Sequence, residues 1–300
     1  MAKPRIVVSL PNDNAYQHEQ GNVAKATADL LGIELQVLRA NDDSITQSQQ
    51  LLEFIQAKPE LRPNGFLVEP VTATGLRRVA DAAVGAGIAW AISNSDVDYI
   101  IDLRKRSRVP VFVVTQGQNE IGRLQGKQIA AMLPQGGNVL YLAGPSMSSV
   151  AVQRHEGMET ARPKNVQITL LRSKWSEESA SQSVNAWLRL ATSRAEKYDL
   201  VAGHTHELAV GARKALLSVA DLDQKRKWME KPYLGIGVAS QVKPLVDGRT
   251  LNAAVVTSVT MNVGLKLLAK AIESQVQPPE RTVVEVASYP EIEKLSFAMR

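Results

Sequence analysis

The feature that most constrains the fold of this chain is a regular alternation of short apolar runs with longer amphipathic segments. The β-branched run RIVVSL at 5–10 is followed at 15–32 by apolar positions at helical spacing, and IELQVL at 33–38 returns to a strand pattern. The helical segment ends at Gly32, a residue typical of helix C-termini. Such alternation predicts a parallel sheet covered by helices on both faces, with right-handed crossovers.

The alternation starts a second time after an irregular segment. VPVFVVT at 109–115 leads through a helical pattern to the strand GNVLYLAG at 137–144, and the pattern then continues to a last predicted strand, TVVEVAS at 282–288. The sequence therefore predicts an α/β protein with two Rossmann-like lobes in tandem. Trp90 alternates with small apolar residues inside one predicted strand, so we expect it to pack in a core.

Composition excludes several classes of partner and site. Hydrophobic residues make up 44% of the chain and charged residues 22%, which is typical of globular proteins. The net charge is +5, but RKRSR at 104–108 is the only dense basic run, and we expect it to be a solvated loop rather than a nucleic-acid contact. The absence of cysteine excludes disulfides and thiolate metal sites.

Neither a membrane segment nor an export signal is predicted. The apolar stretch AAVGAGIAWAI at 82–92 is shorter than the roughly 18 to 20 residues that cross a bilayer. Near the N-terminus the apolar run from Ile6 stops at Pro11, too early for the core of a signal peptide. We therefore expect no membrane insertion, and a cytoplasmic location stays open.

The motifs of nucleotide and serine-hydrolase chemistry are incomplete. The first strand-to-helix loop, LPNDNAY at 10–16, has no glycine to bring backbone amides close to a pyrophosphate. GPSMSS at 144–149 has a serine but lacks the second glycine of a nucleophile elbow. We predict no cofactor and interpret this second loop as a polar helix cap.

Two histidines one residue apart, His204 and His206, leave two interpretations open. On a strand they would face the same side, as in some metal-dependent hydrolases, and His155 would be a third ligand. Alternatively, one histidine donates to a ligand and the other caps the following helix. We favour the second interpretation, with no metal and no catalysis, because an H-x-H pattern alone is weak evidence for a metal site.

Several stretches, in their order and spacing, resemble the type I periplasmic binding proteins. They include residues 6–37, residues 65–88 and YDLVAGHTHELAVGARKAL at 198–216. The resemblance is to the ribose-binding-like sugar branch, which also supplies the effector domains of lac-repressor-type regulators. It implies two lobes, each a parallel sheet flanked by helices, joined by three hinge crossings and closing on a ligand without catalysis.

The resemblance also implies the lobe boundaries and the partners. The N-terminal lobe is expected at 1–116 plus 258–286, and the C-terminal lobe at 117–257 plus 287–300. The implied partners are a small sugar-like ligand and an ABC transporter permease or a sensor protein, with no nucleic acid. The implied location is the periplasm and the implied state a monomer. A cytosolic effector domain of a transcriptional regulator is a further alternative.

Carried over residue by residue, the resemblance implies a set of ligand-binding positions. Asn12 would contact the ligand, Tyr16 and Trp175 would stack on it, and Arg154 would donate to its hydroxyl groups. The remaining positions are those where relatives have other polar or charged side chains: Asn94, Ser95, Thr205, His206, Gly237 and Thr257. Because carboxylates are missing at these positions, we expect a ligand other than plain ribose, such as an anionic or acylated sugar.

Overall fold

The computed structural model describes residues 3–72, 74–95, 97–190 and 193–295. The chain divides into two compact units, Met1–Gly117 with Val259–Val284 and Gln118–Ser258 with Glu285–Arg300. It therefore passes from one unit to the other three times. No helix among the described residues is both long and apolar enough to cross a membrane.

The strands of the described residues are, in chain order, β1 (Arg5–Leu10), β2 (Glu34–Arg39), β3 (Gly65–Val68), β4 (Ala89–Ser93), β5 (Val111–Thr115), β6 (Gly137–Ala143), β7 (Val166–Arg172), β8 (Leu200–Gly203), β9 (Tyr233–Val238), β10 (Ala253–Thr257), β11 (Arg281–Val283) and β12 (Ala287–Tyr289). The α-helices are α1 (Ala15–Leu31), α2 (Ser44–Gln56), α3 (Arg77–Gly85), α4 (Ile100–Arg106), α5 (Gln118–Met132), α6 (Ser149–Ala161), α7 (Glu177–Trp187), α8 (His206–Leu217), α9 (Leu222–Glu230), α10 (Ala239–Asp247), α11 (Met261–Ser274) and α12 (Ile292–Leu295).

The first unit is a six-stranded sheet in the order β11-β5-β4-β3-β1-β2, with every pair parallel. Alternate residues of β1 enter different cores: Val7 packs with α2 and α3 on one face, and Val8 with α1 and α11 on the other. Trp90 is fully buried and meets Phe66 edge to face at 5.9 Å, which confirms its predicted core position.

The second unit is also six-stranded, in the order β12-β10-β9-β8-β6-β7. Its pairs are parallel except β10 with β12, which is antiparallel. Apolar side chains cover both faces: Leu140 packs with α7 and α8, and Tyr141 with α5 and α6. The predicted α/β class with two helix-flanked, mainly parallel sheets is confirmed.

Two local predictions are wrong. TVVEVAS at 282–288 is not one strand, because its beginning pairs with β5 in the first unit and its end with β10 in the second. The basic run at 104–108 begins in the last turn of α4 rather than in a solvated loop. Arg104 there donates to the carbonyl oxygens of Val111 (2.6 Å) and Pro278 (2.7 Å), so it joins the helix to the sheet edge.

Helix ends follow ordinary capping chemistry. The Asn14 side chain accepts from the backbone N–H of Gln17 and caps α1, and Gly32 ends this helix in a left-handed conformation with φ of 66°. The predicted end at Gly32 is therefore confirmed. Since the N-terminus of α1 follows β1 directly, its first turn is placed at the carboxyl edge of the sheet.

Candidate ligand-binding site

The carboxyl edge of the first sheet carries the four polar side chains predicted for a ligand in this unit. In parallel α/β sheets ligands bind outside the carboxyl ends of the strands, because the loops into the helices meet there. Asn12 follows β1, Asn94 and Ser95 follow β4, and Tyr16 lies in the first turn of α1. The structure thus brings these four residues to one edge.

Asn12 is buried and held in a fixed orientation. Its Nδ2 donates to Oδ1 of Asp42 (2.8 Å), and its Oδ1 accepts from the backbone N–H of Asn14 (3.2 Å). Both ends of the Asn12 amide therefore hold the loop between β1 and α1 in place.

Tyr16 is half-buried, and its hydroxyl belongs to an amide network. Its oxygen accepts from Nε2 of Gln116 (2.8 Å) and from Nε2 of Gln20. Gln20 lies one turn further along α1, whereas Gln116 follows β5. The aromatic ring is thereby anchored from two elements, which limits the rotation of a side chain predicted to stack on a ligand.

Glu69 is a buried carboxylate that was not among the predicted site residues. It follows β3 directly and is 5% exposed. Its Oε1 accepts from Nε2 of Gln17 (2.9 Å) and Nδ2 of Asn94 (3.0 Å), while Nε2 of Gln47 donates to its backbone carbonyl (2.9 Å). Its position directly after the apolar run GFLV was the available sequence signal. A carboxylate therefore lies beside the predicted positions at this edge, although none of those positions carries one.

Asn94 and Ser95 are both buried at the end of β4. Asn94 has a φ of 57°, in the left-handed region that asparagine tolerates better than most residues. Its Oδ1 accepts from Nε2 of Gln116 (3.0 Å), which connects Glu69, Asn94, Gln116 and Tyr16 into one network.

In the second unit, Arg154 joins two helices to the loop after β8. It lies in α6 and is 6% exposed. Its Nε donates to Oε1 of Gln118 in α5 (2.9 Å), and its NH1 to the backbone carbonyl of His204 (2.5 Å). The predicted ligand donor therefore also has a structural role.

Trp175, which follows β7, stacks on His204. The two rings are 6.3 Å apart at an angle of 24°. A Cβ atom on Gly144 would lie 2.3 Å from the indole, so only glycine leaves room for Trp175 at this place. Trp175 and His204 thus form an aromatic pair after β7 and β8, the two strands that flank β6 in the sheet.

The two histidines do not share a strand. β8 ends at Gly203, His206 opens α8, and Thr205 rather than a histidine caps this helix by accepting from the N–H of Leu208. The expectation of a histidine cap is therefore wrong, and the strand geometry assumed for a metal pair is absent from this segment. The described part of the chain contains no group of three metal-ligating side chains.

His204 is completely buried. Its Nδ1 accepts from the backbone N–H of Gly144 (3.2 Å), and its ring meets Tyr141 edge to face at 5.2 Å. Burial lowers the pKa of His204 well below its usual value, and the nearby charge of Arg154 lowers it further. This histidine is thus a neutral acceptor inside the unit at neutral pH.

His206 and Gly237 are packed against each other. Gly237 lies inside β9 rather than in the loop after it, and a Cβ atom there would be 2.7 Å from Nδ1 of His206. The pKa of His206 is lowered by burial, partly offset by the backbone of Ile236 and the charge of Glu177. Thr257 is buried as the last residue of β10.

The free energy of unfolding is expected to decrease as the pH falls below 6.5, because these two histidines are buried. A histidine whose pKa is lowered by folding binds a proton more tightly in the unfolded chain. Its contribution is therefore complete above the unfolded pKa of about 6.5 and is lost as pH falls towards the folded pKa. One histidine that stays neutral in the folded protein lowers the free energy of unfolding by about 1.4 kcal/mol as the pH falls from 7.5 to 5.5.

Urea unfolding at the two pH values checks this expectation. His204→Asn retains an acceptor for the N–H of Gly144 and should reduce the loss between the two pH values by about 1 kcal/mol. His18→Asn, at an exposed position on α1, is the matched control and should behave as the unmodified protein does. An equal pH dependence in all three proteins would contradict the assignment to His204.

Comparisons with known proteins agree with this architecture. A family model described as a periplasmic binding protein domain matches residues 6–273. No curated protein matches the sequence significantly.

Similar solved structures share the fold over nearly the whole chain. The fructose-binding periplasmic domain of a hybrid two-component system has 23% identity and a TM-score of 0.78, covering 98% of this chain and 94% of its own. A protein from Mycobacterium smegmatis in complex with β-D-fucofuranose has 18% identity and a TM-score of 0.81, with 99% and 94% covered. A Caulobacter myo-inositol binding protein bound to myo-inositol has 17% identity and a TM-score of 0.78, with 95% and 91% covered.

Proposed function

The chain belongs to the periplasmic binding protein domain family, and from this membership we propose that it is a solute-binding protein for a small, polar, sugar-like molecule. The ligand contacts come from the carboxyl edges of the two sheets, and no chemical step is involved. Hinge closure on the ligand stays a prediction. The protein acts in the periplasm as a monomer and delivers its ligand to an ABC transporter permease or a sensor protein.

The observation that supports this proposal most is the buried network of Glu69, Asn94, Gln116 and Tyr16. Sugar hydroxyl groups both donate and accept, so they are matched by carboxylate and amide groups whose orientations are already set. Fixing these side chains before binding reduces the entropy lost when a ligand is ordered. The similar structures bound to β-D-fucofuranose and myo-inositol hold small polyhydroxylated molecules of this kind.

The aromatic side chains support a sugar rather than an inorganic ion. Tyr16 and Trp175 each follow a strand end in their own unit, where an aromatic face can pack on the C–H groups of a sugar ring. Arg154 and Glu69 add charge-assisted hydrogen bonding, which is about twice as strong as neutral hydrogen bonding.

A thermal-unfolding screen tests the proposal. The protein is heated with D-fructose, D-ribose, D-galactose, D-galacturonate, myo-inositol, Zn²⁺ and Mn²⁺, each in a separate sample. A ligand at 100 times its Kd stabilises the folded state by about 2.7 kcal/mol, so at least one polyol should raise Tm. Stabilisation by Zn²⁺ or Mn²⁺ alone, lost in His204→Ala, would instead support the metal-dependent hydrolase.

Trp175→Ala should weaken binding of the stabilising sugar about tenfold, because the stacking face is lost. Aromatic contacts of this kind contribute about 0.5 to 1.5 kcal/mol beyond their buried area. Isothermal titration calorimetry measures the affinity, and urea unfolding shows whether the second unit remains folded. Leu222→Ala is the control, since this exposed side chain begins α9. An unchanged affinity in Trp175→Ala would show that the stacking role is misassigned.

A further inference from the structure

Arg39 is a partly buried arginine whose guanidinium group donates to no described residue. It is the last residue of β2, the strand at one edge of the first sheet. Its Nε is fully buried, and neither a hydrogen bond nor an ion pair joins its side chain to the part of the chain that the structure describes. By contrast, Arg62, Arg104 and Arg162, which are also partly buried, each donate to a backbone carbonyl oxygen.

The alternation of side chains along β2 places Arg39 beside α1. Residues two apart on a strand share a face, and Leu35 and Val37 pack into the core with α1 and α11. A Cβ atom on Gly21 of α1 would lie 3.1 Å from NH2 of Arg39 and 3.7 Å from Cδ1 of Leu10. The guanidinium therefore lies against the backbone of α1, in room that the missing side chain of glycine leaves.

Two exposed polar residues of α1 border this place. Asn22 follows Gly21 directly, and Lys25 lies four residues after Gly21. Residues four apart on a helix are neighbours, with about 5 to 6 Å between their Cβ atoms. Among the described residues no carboxylate forms an ion pair with Lys25, including Asp29 one turn further along α1. The surface beside Arg39 is thus rich in donors and open to solvent.

The acidic residues that follow Arg39 in sequence are engaged elsewhere. Asp42 accepts from Nδ2 of Asn12 (2.8 Å), and Asp43 caps α2. A guanidinium has five N–H donors and does not lose its proton, and a buried donor without an acceptor costs free energy. An acceptor from outside the chain would offset this cost, and an anion would also match the charge.

We propose that Arg39, Lys25 and Asn22 bind a small oxyanion, of the phosphate or carboxylate class, on the outer side of α1. The planar guanidinium donates two parallel hydrogen bonds to two oxygens of such an anion. Lys25 adds a positive charge, and the amide of Asn22 adds a neutral donor. None of these residues is among the predicted sugar contacts, so the proposal goes beyond the proposed function and does not depend on it.

Isothermal titration calorimetry with inorganic phosphate, sulfate and acetate, at constant ionic strength, tests the site. We expect one anion per chain; tighter binding of phosphate and sulfate would assign the site to tetrahedral anions, and tighter binding of acetate to carboxylates. Arg39→Gln should weaken binding about tenfold, because the charge and the paired donors are lost. Gly21→Ala retains every charge but crowds the guanidinium, so it should weaken binding about threefold.

Arg78→Gln is the matched control for Arg39→Gln. Arg78 is an exposed residue of α3 in the same unit, and the change in charge is the same. Its affinity for the anion should stay within about twofold of the unmodified protein. Equal weakening in both variants would indicate a general effect of charge and overturn the proposal, as would the absence of binding to the unmodified protein.

Arg39→Met separates an anion site from a structural contact. In chloride buffer, removal of a guanidinium without a partner should leave the free energy of unfolding in urea unchanged or raise it. Phosphate stabilises proteins in general, so the expected result is a larger gain in the unmodified protein than in Arg39→Met. A clear loss of stability of Arg39→Met in chloride, or an equal gain from phosphate, would contradict the proposed site.

Discussion

Gly157→Ala is expected to lower the free energy of unfolding by about 3 kcal/mol. Helices α5 and α6 cross with their backbones in contact: a Cβ atom on Gly157 would lie 2.0 Å from the carbonyl oxygen of Asn119. On the facing helix, a Cβ atom on Gly122 would lie 2.0 Å from the carbonyl oxygen of Arg154. Backbone cannot move aside as a flexible side chain can, so the helices must separate, and overpacking of this kind costs 1 to 3 kcal/mol or more.

The effect should extend to the candidate site, because α6 also carries Arg154. A separation of the two helices lengthens the hydrogen bond from Arg154 to Gln118, which is 2.9 Å. Urea unfolding gives the stability change and calorimetry the accompanying change in sugar affinity.

Gly85→Ala is the matched control for this substitution. Gly85 ends α3, and a Cβ atom there would meet nothing within 4 Å. Alanine is a better helix former than glycine by about 1 kcal/mol, so this change should be neutral or stabilising. If Gly157→Ala is as mild as Gly85→Ala, the close contact of α5 with α6 is wrong.

Arg154→Met is expected to reduce both stability and binding. The substitution keeps the length and apolar packing of the side chain but removes the donors to Gln118 and to the His204 carbonyl. Hydrogen bonds from charged groups contribute about 1.5 to 3 kcal/mol, so we expect a loss of about 3 kcal/mol in the free energy of unfolding. With a ligand contact also lost, the affinity for the sugar should fall by about 100-fold.

A pH measurement distinguishes this role from a general loss of packing. Burial is the main cause of the lowered pKa of His204 and the charge of Arg154 lowers it further, so removing that charge should raise this pKa in part. Arg154→Met should then lose less stability in total than the unmodified protein as pH falls from 7.5 through the folded pKa of His204. Arg226→Met, which removes an exposed ion pair with Asp223, is the control and should change stability by less than about 1 kcal/mol. An unchanged pH dependence in Arg154→Met would contradict the electrostatic contact with His204.

Local signals in the sequence were sufficient for most elements. We could predict the strand at 5–10, the helix that ends at Gly32 and the core position of Trp90. The spacing of apolar residues and the residue type at a helix end depend on only a few neighbours in the sequence. The segment at 282–288 could not be predicted, since its apolar pattern is the same whether it pairs as one strand or as two short ones. The prediction that His204 and His206 face the same side failed for a similar reason. It required both residues to lie on a strand, and β8 ends at Gly203.

The candidate site shows a similar division. The resemblance to the periplasmic binding proteins implied Tyr16 and Asn94, but Glu69 after GFLV was not among the predicted positions. Its importance depends on Gln17 and Asn94, which are 52 and 25 residues away in sequence. Burial of a carboxylate is favourable only when such donors are present.

By itself, the sequence determined the α/β class, the two tandem sheets and the strand ends at which polar side chains occur, because each depends on short-range periodicity and composition. Only the tertiary structure decided which of those side chains bond to one another. Parallel pairing places β1, β3, β4 and β5 in one sheet, so residues far apart in sequence share one buried edge. There the Glu69 side chain accepts from Asn94, and Gln116 donates both to Asn94 and to the Tyr16 hydroxyl, pairings that no local pattern in the sequence specifies.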